Sequence, residues 1–143
     1  MLKARQNIVN AGINLSSMVL LGLAGKGKRA ENHAIATAKI TNEMKPHYLA
    51  ALTVKPVPHT PLYQLYKNGE FELPDPFETL VEMKMIFETI TIDNLNFVGT
   101  HASNYLPIKG TLQQDKAKMI ELVSHVIENQ DMSYLRSEHN RGL

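Results

Sequence analysis

The sequence predicts an α/β fold, specifically a partial TIM-type barrel of βα repeats with about three parallel strands flanked by helices. Three short apolar runs support this: one centred on Met18-Val19-Leu20-Leu21, a second from Tyr48 to Val54, and a third from Leu95 to Gly99. The intervening segments carry apolar residues at three- and four-residue spacing, the mark of a helix with one buried face. Strands that alternate with helices pair in parallel through right-handed crossovers.

Taken in order, Leu2 to Asn10 has helical spacing (Leu2, Ile8, Val9) and ends at Ala11-Gly12, where glycine suits a C-cap. The run Ile13 to Leu23 follows, and its nearly continuous apolar character predicts a strand buried on both faces. Arg29 to Glu43 reads as a helix with Ala30, Ala34, Ile35, Ala38 and Ile40 inward, stopped before Pro46. After the second strand, Pro56-Val57-Pro58-His59-Thr60-Pro61 excludes regular structure, because its prolines remove donors and fix φ. Asp75-Pro76-Phe77-Glu78 is a helix start with an N-cap acid, proline at the first helical position and an acid at the third, and the helix is expected to run to about Thr91. Beyond the third strand, Thr100 to Gly110 reads as a polar loop. Thr111 with Gln114 reads as a capping box for a last helix whose apolar face is Leu112, Met119, Ile120, Val123, Val126 and Ile127. Residues 1–130 are thus one domain, and 131–143 a polar tail without periodicity, expected to fray.

At 143 residues and 43% hydrophobic, the chain suffices for one core. Fifteen basic against 14 acidic residues leave a net charge of +1, too little to gather nucleic acid or an anionic membrane. The absence of cysteine excludes disulfides, thiolate zinc sites, cysteine nucleophiles and thiolate-ligated iron–sulfur clusters on this polypeptide. Without a signal-like or membrane-spanning apolar stretch, a cytoplasmic location is expected.

Ligands of parallel α/β folds bind at the loops after the strands' C-terminal ends. The first such loop, Gly22-Leu23-Ala24-Gly25-Lys26-Gly27-Lys28-Arg29, comes within one residue of a phosphate-binding P-loop. Arg29 stands where a magnesium-binding hydroxyl is required, which leaves at most a degenerate nucleotide-binding protein. In the second loop His59, and in the third His101, Ser103 and Asn104, could orient a polar substrate. These groups could equally satisfy their own loop's backbone. Two imidazoles, His59 and His101, would only begin a metal site, so no metal is assigned.

Three stretches taken together resemble one family. Ala11-Gly12-Ile13 through Val19-Leu20-Leu21-Gly22-Leu23-Ala24-Gly25, followed by Glu31-Asn32-His33-Ala34, resembles the fifth strand and following helix of oxidoreductase-type radical S-adenosylmethionine (radical SAM) proteins. Leu52-Thr53-Val54-Lys55-Pro56, with His59-Thr60-Pro61-Leu62-Tyr63 and Asn68-Gly69-Glu70-Phe71, is similar to their sixth-strand region. His101-Ala102-Ser103-Asn104-Tyr105-Leu106-Pro107-Ile108-Lys109-Gly110 resembles a late signature of one uncharacterised branch. The match extends from Asn7 to Ile127.

The resemblance implies a parallel barrel in which a [4Fe–4S] cluster on a three-cysteine motif cleaves S-adenosylmethionine to start radical chemistry. It implies cofactor contacts at Leu21, Gly22, Leu23, Ala24, Thr53, Val54 and Lys55; the substrate contacts expected at His59, His101, Ser103 and Asn104 rest on the chemistry of the loops. The cysteine motif and every strand before the fifth are absent. The expectation is therefore a C-terminal half, inactive by itself: a fragment, a truncated remnant, or one of two complementing chains. The acidic residue often found after the family's fifth-strand turn is also missing, since Lys26, Gly27 and Lys28 occupy that stretch. The expected partner is the missing N-terminal half or a second copy, either of which would cover barrel-interior side chains expected at Val19, Leu21, Leu52 and Val54. A stand-alone small α/β binding or interaction module is the reading from another class.

Overall fold

The computed structural model describes residues 2–142, so Met1 of the expected domain and Leu143 of the expected tail lie outside the described residues. The elements are α1 (Leu2–Asn10), β1 (Ser16–Leu21), α2 (Lys28–Met44), β2 (Tyr48–Thr53), α3 (Pro61–Lys67), α4 (Pro76–Thr89), β3 (Leu95–Gly99), β4 (Ile108–Leu112) and α5 (Lys116–Glu128), then two short 3₁₀ turns. The sheet has the order β1-β2-β3-β4. β1, β2 and β3 are mutually parallel, as the alternating pattern requires, and β4 returns antiparallel to β3. This is an open, mostly parallel α/β sheet, not a closed barrel.

The helix starts follow local chemistry. At α4 the predicted capping box forms in full: Glu78 N–H donates to Asp75 Oδ1 at 2.8 Å and Asp75 N–H donates to Glu78 Oε2 at 2.8 Å, with Pro76 opening the helix. The proline-rich loop ends by starting α3 at its last proline, where Thr60 Oγ1 accepts from Tyr63 N–H at 3.2 Å. The expected capping box at Thr111 and Gln114 does not form. Thr111 belongs to β4, Asp115 is the N-cap of α5, and Asp115 Oδ2 instead accepts from Thr111 N–H at 2.8 Å.

β4 replaces the end of the expected polar loop, and Leu112 is a strand residue rather than part of the helix face. The strand forms because Ile108 and Leu112 alternate inward into the core on either side of Gly110. A Cβ on Gly110 would lie 2.8 Å from Met119 Sδ, so glycine lets α5 approach β4 closely.

One face of the sheet carries the core. Leu21, Leu49, Ala51, Leu95 and Phe97 pack there against α2, α4 and α5, with Phe87 meeting Phe97 edge-on at a centroid distance of 4.7 Å. The opposite face is uncovered: Met18, Ala50 and Val98 are in register, as are Leu20 with Leu52 and Tyr48 with Asn96. Met18 is 70% exposed and Val98 39%.

This register corrects the expected interior set. Val19 pairs with Ala51 and Leu21 with Thr53, so both point to the helices, while Leu52 lies on the uncovered face and Val54 beside it in the groove there. Side-chain direction alternates residue by residue, and Val19 and Leu52 cannot share a face in this pairing. Val54, just beyond β2, is buried. The tail is also ordered rather than frayed, since Arg136 N–H donates to Tyr105 O at 2.8 Å and Arg141 is only 6% exposed.

Candidate functional site

Parallel pairing brings the loops after β1, β2 and β3 to one end of the sheet, and polar side chains lock them together there. Asn104 has no exposed surface; its Nδ2 donates to Ala51 O at 2.7 Å and Gly99 O at 2.8 Å, and its Oδ1 accepts from Thr53 Oγ1 at 2.9 Å. Ser103, also buried, accepts from Thr53 N–H at 3.1 Å and contacts His101 Nδ1 at 2.9 Å. The amide of Asn104 is thus spent on ties between strand ends, as a self-satisfying loop would use it. His101 stays partly accessible beside them.

Two clefts open around the end of β2. A groove of about 260 Å³ on the uncovered face is lined by Leu20, Leu52, Thr53, Val54, Lys55, His101 and Ser103. A cleft of about 400 Å³ is lined by the apolar Val54, Pro56, Leu73 and Pro74 together with the polar Lys55, Tyr105, Glu138 and Arg141. Thr53, Val54 and Lys55 line both.

The other expected cofactor positions are placed differently. Leu21 is buried on the helix side, and Gly22 has a left-handed φ of 77° with its Cα against Pro74 and Val54. Leu23 is 45% exposed, and Ala24 lines a separate depression with Arg29, Glu70 and Phe71. His59 lines none of these clefts. Among the described residues no group of three His, Cys, Asp or Glu side chains could hold a metal ion.

Around the glycine turn, carboxylates meet the lysines. Lys26 pairs with Glu78 at 3.2 Å and Lys28 with Glu31 at 2.5 Å, and the hollow beside them is lined by one cation, Lys26, against Glu31, Glu78 and Glu82. A phosphate entering there would meet three acids, which argues against a nucleotide loop.

Sequence reasoning missed four residues. Glu82 on α4 is 2% exposed; its Oε2 accepts from Gly22 N–H at 2.7 Å and its Oε1 meets His33 Nδ1 at 2.6 Å. Its signal was present, as a carboxylate on the inward stripe Thr79, Glu82, Met83, Ile86. Tyr105, Glu138 and Arg141 had no such signal, because their meeting depends on how the tail docks.

Arg141 Nε donates to Ser103 O at 2.7 Å, Nη1 pairs with Glu138, and the guanidinium carbon lies 3.6 Å from the centre of the Tyr105 ring. Tyr105 Oη donates to Glu138 Oε1 at 2.5 Å. Burial, then the bond to the Glu138 carboxylate, push the Tyr105 hydroxyl up to about 12, against the opposing charge of Arg141. Burial raises the Glu138 carboxyl, but the Tyr105 bond and the charge of Arg141 outweigh it and hold the group below its ordinary value.

The fold and the clustering of ligand clefts at the C-terminal strand ends define an α/β protein of the parallel, βα-repeat type. The solved structure of the archaeal Methanocaldococcus infernus Elp3 with an N-terminal deletion (1-46) is similar, with a TM-score of 0.60 at 18% identity. The likeness covers 90% of this chain and 30% of the Elp3 chain, so this chain spans about a third of that structure's length. At this identity the likeness is one of fold. No protein-family model and no curated protein sequence matches the chain. No described helix is long and apolar enough to cross a membrane.

Proposed function

We propose that this chain is the C-terminal part of a radical SAM protein of the Fe–S oxidoreductase type, contributing some walls of the S-adenosylmethionine and substrate site. The observation that carries the proposal is the uncovered apolar sheet face, on which Met18, Leu20, Ala50, Leu52 and Val98 stand side by side beneath the groove. An apolar face of this kind is uncommon on a soluble monomer, and a further set of strands would cover it. β1 is an edge strand in the sheet, so its outer N–H and C=O groups are available to the same partner.

S-adenosylmethionine, reduced at an iron–sulfur cluster, supplies the radical in this superfamily. The donor set here does not fit the cluster: there is no cysteine, and no step is assigned to one. The groove does fit part of a nucleoside-like ligand. Its volume of about 260 Å³ falls short of a complete ligand site, roughly 300–1,000 Å³, as expected when other walls come from elsewhere. Leu20, Leu52 and Val54 would pack against the ligand, Thr53 and Lys55 would bound its polar edge, and His101 would face the substrate, oriented by Ser103. Asn104 acts as a brace. His59 and Leu23 to Ala24 lie outside the groove and would contribute only through segments of the partner.

Reading the neighbouring gene and titrating ¹⁵N-labelled chain tests the proposal. The expected outcome is an adjoining product with Cys-x-x-x-Cys-x-x-Cys that co-purifies with this chain, and S-adenosylmethionine shifts confined to Leu52–Lys55 and His101–Ser103 in the complex. Shifts elsewhere, or none in the complex, refute it.

A further inference from the structure

The larger cleft at the end of β2 has the make-up of a ligand site of its own, although it shares Thr53, Val54 and Lys55 with the open groove. Its volume of about 400 Å³ lies within the range of small-molecule sites, roughly 300–1,000 Å³. Its lining combines apolar side chains (Val54, Pro56, Leu73, Pro74) with Lys55, Tyr105, Glu138 and Arg141. Two cations face one carboxylate, an excess of one positive charge in a recess that excludes much of the solvent.

The two ends of the Arg141–Glu138 pair differ in exposure: the side chain of Arg141 is 3% exposed and that of Glu138 is 66% exposed. A buried guanidinium needs an anion beside it, because leaving it unpaired is costly. A rim glutamate can leave at little loss of burial. Arg141 Nη2 has no protein acceptor among the described residues, and Lys55 Nζ holds only the Arg141 carbonyl, at 3.1 Å.

We infer that this cleft binds a small carboxylate with an apolar body, which displaces Glu138 from Arg141 and lays its body against Val54, Leu73 and Pro74. The tail's own carboxylate marks the place that the ligand's takes. Arg141 offers a planar fork matched to a carboxylate, and Lys55 adds a second cation at the mouth. The tail thus completes the site, since Glu138 and Arg141 both come from it. This does not rest on the radical SAM reading, because the residues that discriminate it, Glu138 and Arg141, line this cleft and not the groove.

A ¹⁵N titration of the full chain with benzoate tests it, with benzamide as the neutral isostere and inorganic phosphate as the bare anion. Benzoate is expected to shift the amides of Lys55, Glu138 and Arg141, with benzamide and phosphate each about tenfold weaker or more, a difference of ~1.4 kcal/mol. Glu138→Gln removes the competing anion and should tighten benzoate, whereas Arg141→Gln should abolish its preference over benzamide. Lys55→Met, which removes the second cation together with its bond to the Arg141 carbonyl, should weaken benzoate and not benzamide. If Glu138→Gln weakens benzoate as much as Arg141→Gln does, the cluster is only a structural tie and the proposal falls. Equal binding of benzoate and benzamide, equal shifts by phosphate, or no shifts would each overturn it too.

Discussion

Replacing Asn104 by alanine should be among the most damaging single changes in the protein, although the side chain touches no solvent. Its amide ties Ala51 O of β2, Gly99 O of β3 and Thr53 Oγ1 into one knot. Alanine removes three hydrogen bonds and leaves their partners buried without them. At a net ~1 kcal/mol for each bond, with more for partners left unsatisfied, the loss should be about 3–4 kcal/mol. Thr53→Ala removes one of the three and should cost about 1 kcal/mol. The double variant should then be less destabilised than the sum, by about 1 kcal/mol, because the shared bond is lost only once. Urea denaturation followed by circular dichroism measures all three. A loss below about 1 kcal/mol for Asn104→Ala, or strict additivity with Thr53→Ala, would refute the knot.

Other consequences are as direct. Gly22→Ala places a Cβ 2.9 Å from Pro74 Cγ at a φ of 77°, and should cost about 2–3 kcal/mol by thermal melting. Met18→Lys with Val98→Lys should leave the melting temperature within a few degrees while reducing self-association, measured by light scattering across protein concentration; unchanged association would mean that the open face is not the contact. In an absorbance titration, one of the five tyrosines should ionise near 12 and move back toward 10 in Glu138→Gln. The folded value of Tyr105 is raised, so its contribution to tail docking is complete below about 10 and is lost as pH rises toward 12. The folded value of Glu138 is lowered, so its contribution is present above the ordinary carboxylate range and is lost on acidification through it. The protection of the amides of residues 131–142 against exchange, taken relative to the intrinsic rate at each pH, should therefore fall at low pH.

What could be read from sequence was what local chemistry decides. Asp75-Pro76-Phe77-Glu78 carries its capping geometry in its own side chains, and the three parallel strands follow from apolar runs separated by helical spacing. β4 was hidden because Lys109, Gly110 and Thr111 look like a loop, and only contact with Met119 and pairing with β3 make them a strand. The facing of Val19 and Leu21 could not be read from a nearly continuous apolar run, which has no alternation to give parity. Of the candidate site, Thr53, Val54, Lys55, His101 and Ser103 converge as expected of strand-end loops, whereas Arg141 meets Ser103 across 38 residues of chain. Nothing local encodes such a meeting.

Glu82 gives the first loop a second allegiance. The turn at Gly22 is fastened less by its own strand than by a carboxylate on α4, which also grips His33 on α2. A small slide of α4 along α2 would therefore be copied to the Gly22 amide like the motion of a crank, and carried on to Val54 and Pro74 packed beside it. Such a motion would reach both clefts through Val54, which lines each of them.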